Sequence, residues 1–179
     1  MAEHPYRRSH GFTMIELMVT LVVLGILLGV GIPSFNAIML NSRTSGVAND
    51  LTSAINLARS EAVKRAAPVR VCPSSNPLDT TPTCSGTWSD GWIVSVDVPV
   101  GGEPPVRRTW RPPFPGADFA QTSGANQPII FGPLGQLVSG RVDITIEVDG
   151  CRGRRARLLE IAATGRVSVE RVLCSADST

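Results

Sequence analysis

Between Phe12 and Ile32 the chain reads FTMIELMVTLVVLGILLGVGI, 21 residues that carry a single charge, Glu16. At 1.5 Å per residue such a run makes a helix of roughly 30 Å, the thickness of the hydrocarbon layer of a bilayer. The pattern then changes. Val47, Leu51, Ala54, Ile55, Ala58 and Ala62 recur at spacings of three and four, with Asn49, Asp50, Ser53, Arg59, Ser60 and Lys64 between them. This spacing predicts an amphipathic helix that continues to about Arg65, with Pro68 as its stop. Together the two segments predict one helix over 12–66, on the order of 80 Å long, with an anchoring half (12–32) and a half that holds a domain. Gly25, Gly29, Gly31 and Pro33 are poor helix formers in the middle of it, so this stretch is a candidate hinge. The Gly25/Gly29 pair also fits a small-xxx-small packing face.

After residue 67 the pattern is one of strands and turns. VRVC (69–72), GWIVSVDV (91–98), VRRTW (106–110), PIIF (128–131), VDITIEV (142–148), RARLLEIA (155–162) and GRVSVERV (165–172) alternate or are rich in β-branched residues between Gly, Pro and Ser clusters. These seven strands predict an α+β fold in which the long N-terminal helix packs on a β-sandwich or curled antiparallel sheet over 67–179. Trp88, Trp92, Ile93 and Val94 read as core. The proline-rich stretch from Val100 to Gly116 and the polar one over 118–127, with its lone Phe119, read as surface loops.

Arg7 and Arg8 precede the apolar run and Arg43 is the first basic residue after it. The positive-inside rule therefore places the N-terminus in the cytoplasm and residues after about 35 on the far side of the membrane. A cleaved secretory signal would need small residues at A-x-A spacing after the run, and Gly31-Ile32-Pro33-Ser34-Phe35 has none.

Within the junction, Gly11-Phe12-Thr13-Met14-Ile15-Glu16-Leu17 resembles the class III signal of type IV pilins and type II secretion pseudopilins. The resemblance implies a leader of residues 1–11, cleavage by a prepilin peptidase between Gly11 and Phe12, and methylation of the new N-terminus at Phe12. It also implies an assembly role for Glu16, whose carboxylate meets the N-terminal amine of a neighbouring subunit. Physical chemistry is in keeping with this. A carboxylate well inside an apolar helix costs about 2.5 to 3.5 kcal/mol on insertion scales unless it is paired, and a new α-amine at Phe12 lies four residues away on the same helix face. The competing reading is a Glu that snorkels to the interface. In that family the stretch corresponding to Gly25–Pro33 unwinds locally on filament packing.

Four further words, ARSEAVKRAAPVRVC, TWSDGWIVSVD, IIFGPLGQL and RLLEIAATGRVSV, are similar to the FimT/FimU minor pilins, the GspH-like group. The implied function is that of a minor type IV pilin, a structural subunit in pilus biogenesis, placed near the pilus tip. The implied partners are other pilins and minor pilins, the prepilin peptidase and the inner-membrane assembly machinery. The implied location is the inner membrane, with the C-terminal domain in the periplasm until incorporation into an extracellular pilus. A minor pseudopilin of type II secretion shares the helix and fold.

Charge and chemistry narrow the rest. The formal charge is +2, and 16 of the 17 basic residues are Arg, with Lys64 the exception. Both histidines, His4 and His10, lie in the leader. The remainder therefore lacks the usual general base of Ser or Cys hydrolases, and the chain has no G-x-x-x-x-G-K-[ST] phosphate loop. The reading is a non-enzyme without a cofactor. Four cysteines in an exported domain point to disulfides, for which three pairings exist. Cys72 and Cys84 enclose eleven residues, a loop whose closure removes about 3 kcal/mol of unfolded-chain entropy. The expected pairs are Cys72 with Cys84 and Cys151 with Cys174. A zinc site is disfavoured, since no C-x2-C spacing occurs.

Arg152, Arg154, Arg155, Arg157, Arg166 and Arg171 crowd the C-terminal region, and guanidinium forks suit phosphate. DNA capture during uptake is therefore a second reading. Some FimT-type pilins bind DNA through a C-terminal G-R-x-R element. The matching positions here are Gly165, Arg166, Val167 and Ser168, so the second Arg is replaced. Six acidic residues share the region, Asp143, Glu147, Asp149, Glu160, Glu170 and Asp177, and they favour a solvated mixed-charge face.

Overall fold

The apolar run and the amphipathic spacing join in a single helix. In a computed structural model, α1 spans Met14–Arg65. The structure describes residues 12–96 and 105–175, and for 30–37 the backbone alone. Residues 1–11, and with them Gly11, lie outside the described residues, as do 97–104 and 176–179, which include Asp177. The helix ends without the glycine that such ends favour. Ala66 takes a left-handed conformation at φ 49°, while the amide of Ala66 donates to the Val63 carbonyl and that of Ala67 to the Ala62 carbonyl, both at 3.3 Å. These two bonds form a Schellman stop, so the chain has left the helix before Pro68 acts.

The chain divides into two compact units, 1–39 and 40–179. The first consists, where described, of Phe12, Thr13 and the start of α1, with side chains exposed throughout 12–29. Among the described residues no helix is long and apolar enough to cross a membrane. The apolar run expected to span, 12–32, continues past 29 into residues whose side chains are not described.

The second unit holds the rest of α1 and eight strands: β1 Val69–Pro73, β2 Trp92–Val96, β3 Val106–Trp110, β4 Ala117–Gln121, β5 Ile129–Phe131, β6 Val142–Val148, β7 Ala156–Ile161 and β8 Val167–Val172. They form two antiparallel four-stranded sheets, ordered β3-β2-β1-β5 and β4-β6-β7-β8. The α1 stripe Val47, Leu51, Ala54, Ile55, Ala58 and Ala62 is at most 5% exposed and shares one core with both sheets. Trp88, Trp92, Ile93 and Val94 lie in the interior at 0 to 1% exposure.

One expected loop is a strand. β4 occupies the first part of 118–127, where polarity pointed to a surface loop, because β6 supplies it with a full ladder from Ala117↔Val148 to Gln121↔Ile144. Its alternation is written in weak residues. Ala117, Phe119 and Gln121 are the less exposed ones, Phe119 meets Trp92 edge-on at 6.2 Å, and Gln121 accepts the Trp88 indole N–H at 3.0 Å. An edge strand with one wet face needs only half its positions apolar.

Candidate functional site

Two regions carry the candidate residues, one in each unit. In the first, the Thr13 hydroxyl accepts the Glu16 amide at 3.3 Å and the Thr13 carbonyl accepts the Leu17 amide at 3.1 Å. Thr13 is thus the N-cap, and Thr13-Met14-Ile15-Glu16 has the residues of a capping box. The T-x-x-E spacing is the sequence signal of this cap. The Glu16 carboxylate lies in the first turn, where it also complements the helix dipole. From here Phe12, Met14, Ile15, Leu17 and their successors to Leu28 are 49 to 83% exposed. A helix apolar on all sides is stable only where something other than water covers it. Gly25 and Gly29 lie within this helix, and among the described residues a Cβ added at either would meet nothing within 4 Å. Backbone at Gly31 and Pro33 is helical, and their side-chain surroundings fall outside the described residues.

The second region is the β6-β7-β8 edge with its two flanking turns. Cys151 bonds Cys174, and Cys72 bonds Cys84, with Cα–Cα distances of 5.8 and 5.5 Å. The first of these ties the turn before β7 to the end of β8, and the Cys174 amide donates to the Gly153 carbonyl at 3.0 Å. Among the described residues no group of His, Cys, Asp or Glu is arranged to hold a metal ion.

This scaffold divides the six candidate arginines into three sets. Arg157 leaves the phosphate-facing set altogether. It is 4% exposed. Its two terminal nitrogens donate to Asn41 Oδ1 at 2.7 Å, Ser45 Oγ at 2.9 Å and the carbonyls of Arg155 and Ala156 at 3.0 and 3.2 Å. Burial, and then the nearby positive charge of Arg171, pushes its pKa down. Strand register explains the inward aim, since Arg157 lies beside Ile146 of β6 on the face that packs on α1.

Arg152, Arg154 and Arg171 are exposed and Arg155 half-buried, all at the disulfide end of the β7-β8 hairpin. Arg154 donates to the Arg171 carbonyl at 3.0 Å. Arg166 lies at the opposite end, about 16 Å away at five strand residues. There it lines a cleft of about 380 Å³ with Arg141, Glu160, Ala162, Ser168 and Glu170. Arg141 bridges Asp143 at 2.9 Å and also Glu160, and the Asp143 hydrogen bond and charge, then the Glu160 charge, push its pKa up. A phosphate near Arg166 would face two carboxylates.

Gly165 has a structural task. At φ +80° its Cα packs on the Gly135 carbonyl and on Arg59, leaving no room for a Cβ. The Leu137 amide donates to the Ala163 carbonyl at 2.9 Å, so the GPLG and ATGR turns interlock over α1. The two sequence words are one contact.

The family model for Type II transport protein GspH matches residues 47–165, and that for the prokaryotic N-terminal methylation motif matches 6–32. Two crystal forms of the type IV minor pilin FimU of Pseudomonas aeruginosa have a similar fold. The first, with 19% identity and a TM-score of 0.55, covers 72% of this chain and 89% of the other. The second, with 21% identity and a TM-score of 0.52, covers 70% and 91%. No curated protein matches the chain.

Proposed function

We propose, from the premise that this chain belongs to the GspH family and carries an N-terminal methylation motif, that it is a minor type IV pilin. Proteins of the pilin and pseudopilin class are structural subunits, and this one is a subunit and not an enzyme. In the proposed course, prepilin peptidase cleaves after Gly11 and Phe12 is methylated. Residues 12–32 hold the subunit in the inner membrane with the second unit in the periplasm. The assembly machinery then moves the helix into a pilus among other pilins and minor pilins, near the tip. Glu16 pairs with a neighbour's N-terminal amine, and Gly25, Gly29, Gly31 and Pro33 let the helix yield as it packs.

The observation that carries this reading is the exposed apolar helix that starts two residues past the proposed cut, capped by Thr13. Such a surface is suited first to lipid and then to sister helices. Mass spectrometry of the chain purified from its host tests it. An N-terminus at N-methylated Phe12, in chain recovered from sheared pili, is the expected result. Any other N-terminus overturns the processing, and recovery with secretion components but never with pili favours the pseudopilin alternative.

DNA binding remains a second reading on a smaller footing. Its support is the cluster of Arg152, Arg154, Arg155 and Arg171 at one end of the β7-β8 hairpin, which makes no salt bridge among the described residues. Phosphate contacts by these residues give a salt-sensitive affinity. Charge reversal at Arg154 and Arg155 is expected to abolish it, and affinity unchanged by that variant ends the reading.

A further inference from the structure

A cleft of about 270 Å³ opens between α1 residues 43–50 and the 110–114 segment at the end of β3. Trp92 lines it and is 1% exposed. Its indole N–H is buried and meets no acceptor among the described residues. Trp88 next to it, with ring centroids 6.5 Å apart, gives its own N–H to Gln121 at 3.0 Å. A buried donor left unmet costs free energy that an incoming acceptor recovers. Around the same opening stand Arg43, held over the Phe114 ring at 5.5 Å, and Arg111, against a single anion, Asp50. Trp110 and Phe114 supply apolar walls. The volume falls below the roughly 300–1,000 Å³ of small-molecule sites, and it suits a side chain and its flanking backbone.

We propose that this cleft receives the carboxylate of an Asp or Glu side chain from a neighbouring filament subunit; the identity of that occupant rests on the filament-subunit reading above. The carboxylate accepts the Trp92 indole N–H, and the guanidinium groups of Arg43 and Arg111 complement its charge. An amide fills the same space and accepts the same bond without the charge term. Lys or Arg is excluded, having no acceptor to offer and meeting like charge. One wall is α1, the element that on that reading lies among neighbouring subunits.

Indole N–H resonances of the full chain in detergent micelles test the chemistry. The probes are acetyl-Ala-Glu-Ala-amide and its Gln counterpart. The expected result is a saturable downfield shift of the Trp92 indole proton, with the already bonded Trp88 indole as an internal control that stays put. Binding of the Gln peptide is expected to be about threefold weaker, and R43Q/R111Q to weaken the Glu peptide about tenfold. A Trp92 resonance that does not move, or equal response to both peptides, overturns the proposal.

A photo-cross-linker in place of Arg111 in piliated cells identifies the occupant. An adduct with another filament subunit supports the assignment, and adducts solely with other proteins overturn it. Should the chain be absent from sheared filaments while the indole still responds to the acid, the filament reading and its occupant fail and acid recognition by the cleft stands.

Discussion

α1 is one helix with two opposite relations to its surroundings. Over 12–29 every described side chain is exposed and nearly all are apolar, whereas over 47–62 the apolar stripe is at most 5% exposed. Backbone hydrogen bonding is the same in both halves, so helix geometry alone decides nothing about burial. The C-terminal half obtains its stability from two sheets packed on one stripe. The N-terminal half keeps its apolar surface for partners outside the chain, and polar substitutions there are expected to be felt in assembly and not in the fold.

The largest expected effect breaks the buried half. Leu51→Ala removes a fully buried side chain and is expected to cost about 3 kcal/mol, or roughly 10 °C in melting temperature. Leu24→Ala, on the exposed half, is expected to leave the melt in micelles within about 0.5 kcal/mol. Equal losses would erase the contrast between the halves.

Replacing Cys72 and Cys84 together by Ser is expected to cost about 3 kcal/mol by denaturant titration, because the unfolded chain regains the freedom of that loop. A shift under 1 kcal/mol would show that the neighbouring hydrogen bonds, such as the Ser85 amide to the Pro73 carbonyl at 3.0 Å, hold the loop unaided.

Arg157→Met keeps bulk but deletes the bonds to Asn41 and Ser45 at the start of the second unit. A loss of about 2 kcal/mol is expected, with faster amide exchange in α1 around 41–45. DNA affinity, if present, is expected not to change. A variant that loses DNA binding at wild-type stability would return Arg157 to the phosphate-facing set.

The smallest effect is at the helix end. Ala66→Gly relieves the left-handed conformation and gives up some unfolded-state stiffness, for an expected gain of about 0.5 kcal/mol in the same melts. A destabilisation would mean that the Ala66 methyl packs favourably enough to offset its backbone cost.

Much of this molecule was legible because its signals are local. Helical spacing at 47, 51, 54, 55, 58 and 62 specifies a buried stripe whatever covers it, and alternation in VDITIEV specifies a strand with one buried face. The long apolar run and the G-F-T-x-x-E-L word are equally local. β4 escaped because A-D-F-A-Q has too little hydrophobicity to declare itself, and its strand character comes from the β6 ladder. The arginines escaped for a similar reason. Six identical side chains within twenty positions look alike along the chain, and only strand register and the disulfide turn Arg157 inward, leave Arg166 among carboxylates and gather the others at one end.

What the amino-acid order alone determined is thus the helix with its two kinds of surface and most of the strands. These depend on periodicities of a few residues, which chain geometry converts directly into faces. Tertiary structure decided which polar groups have partners: Arg157 against Asn41 and Ser45, 116 and 112 positions away, Trp88 with Gln121, and the Trp92 indole with none among the described residues. Such pairings join residues far apart in the chain, and whether a buried donor is met depends on the distance and angle of a few atoms, which no local pattern encodes.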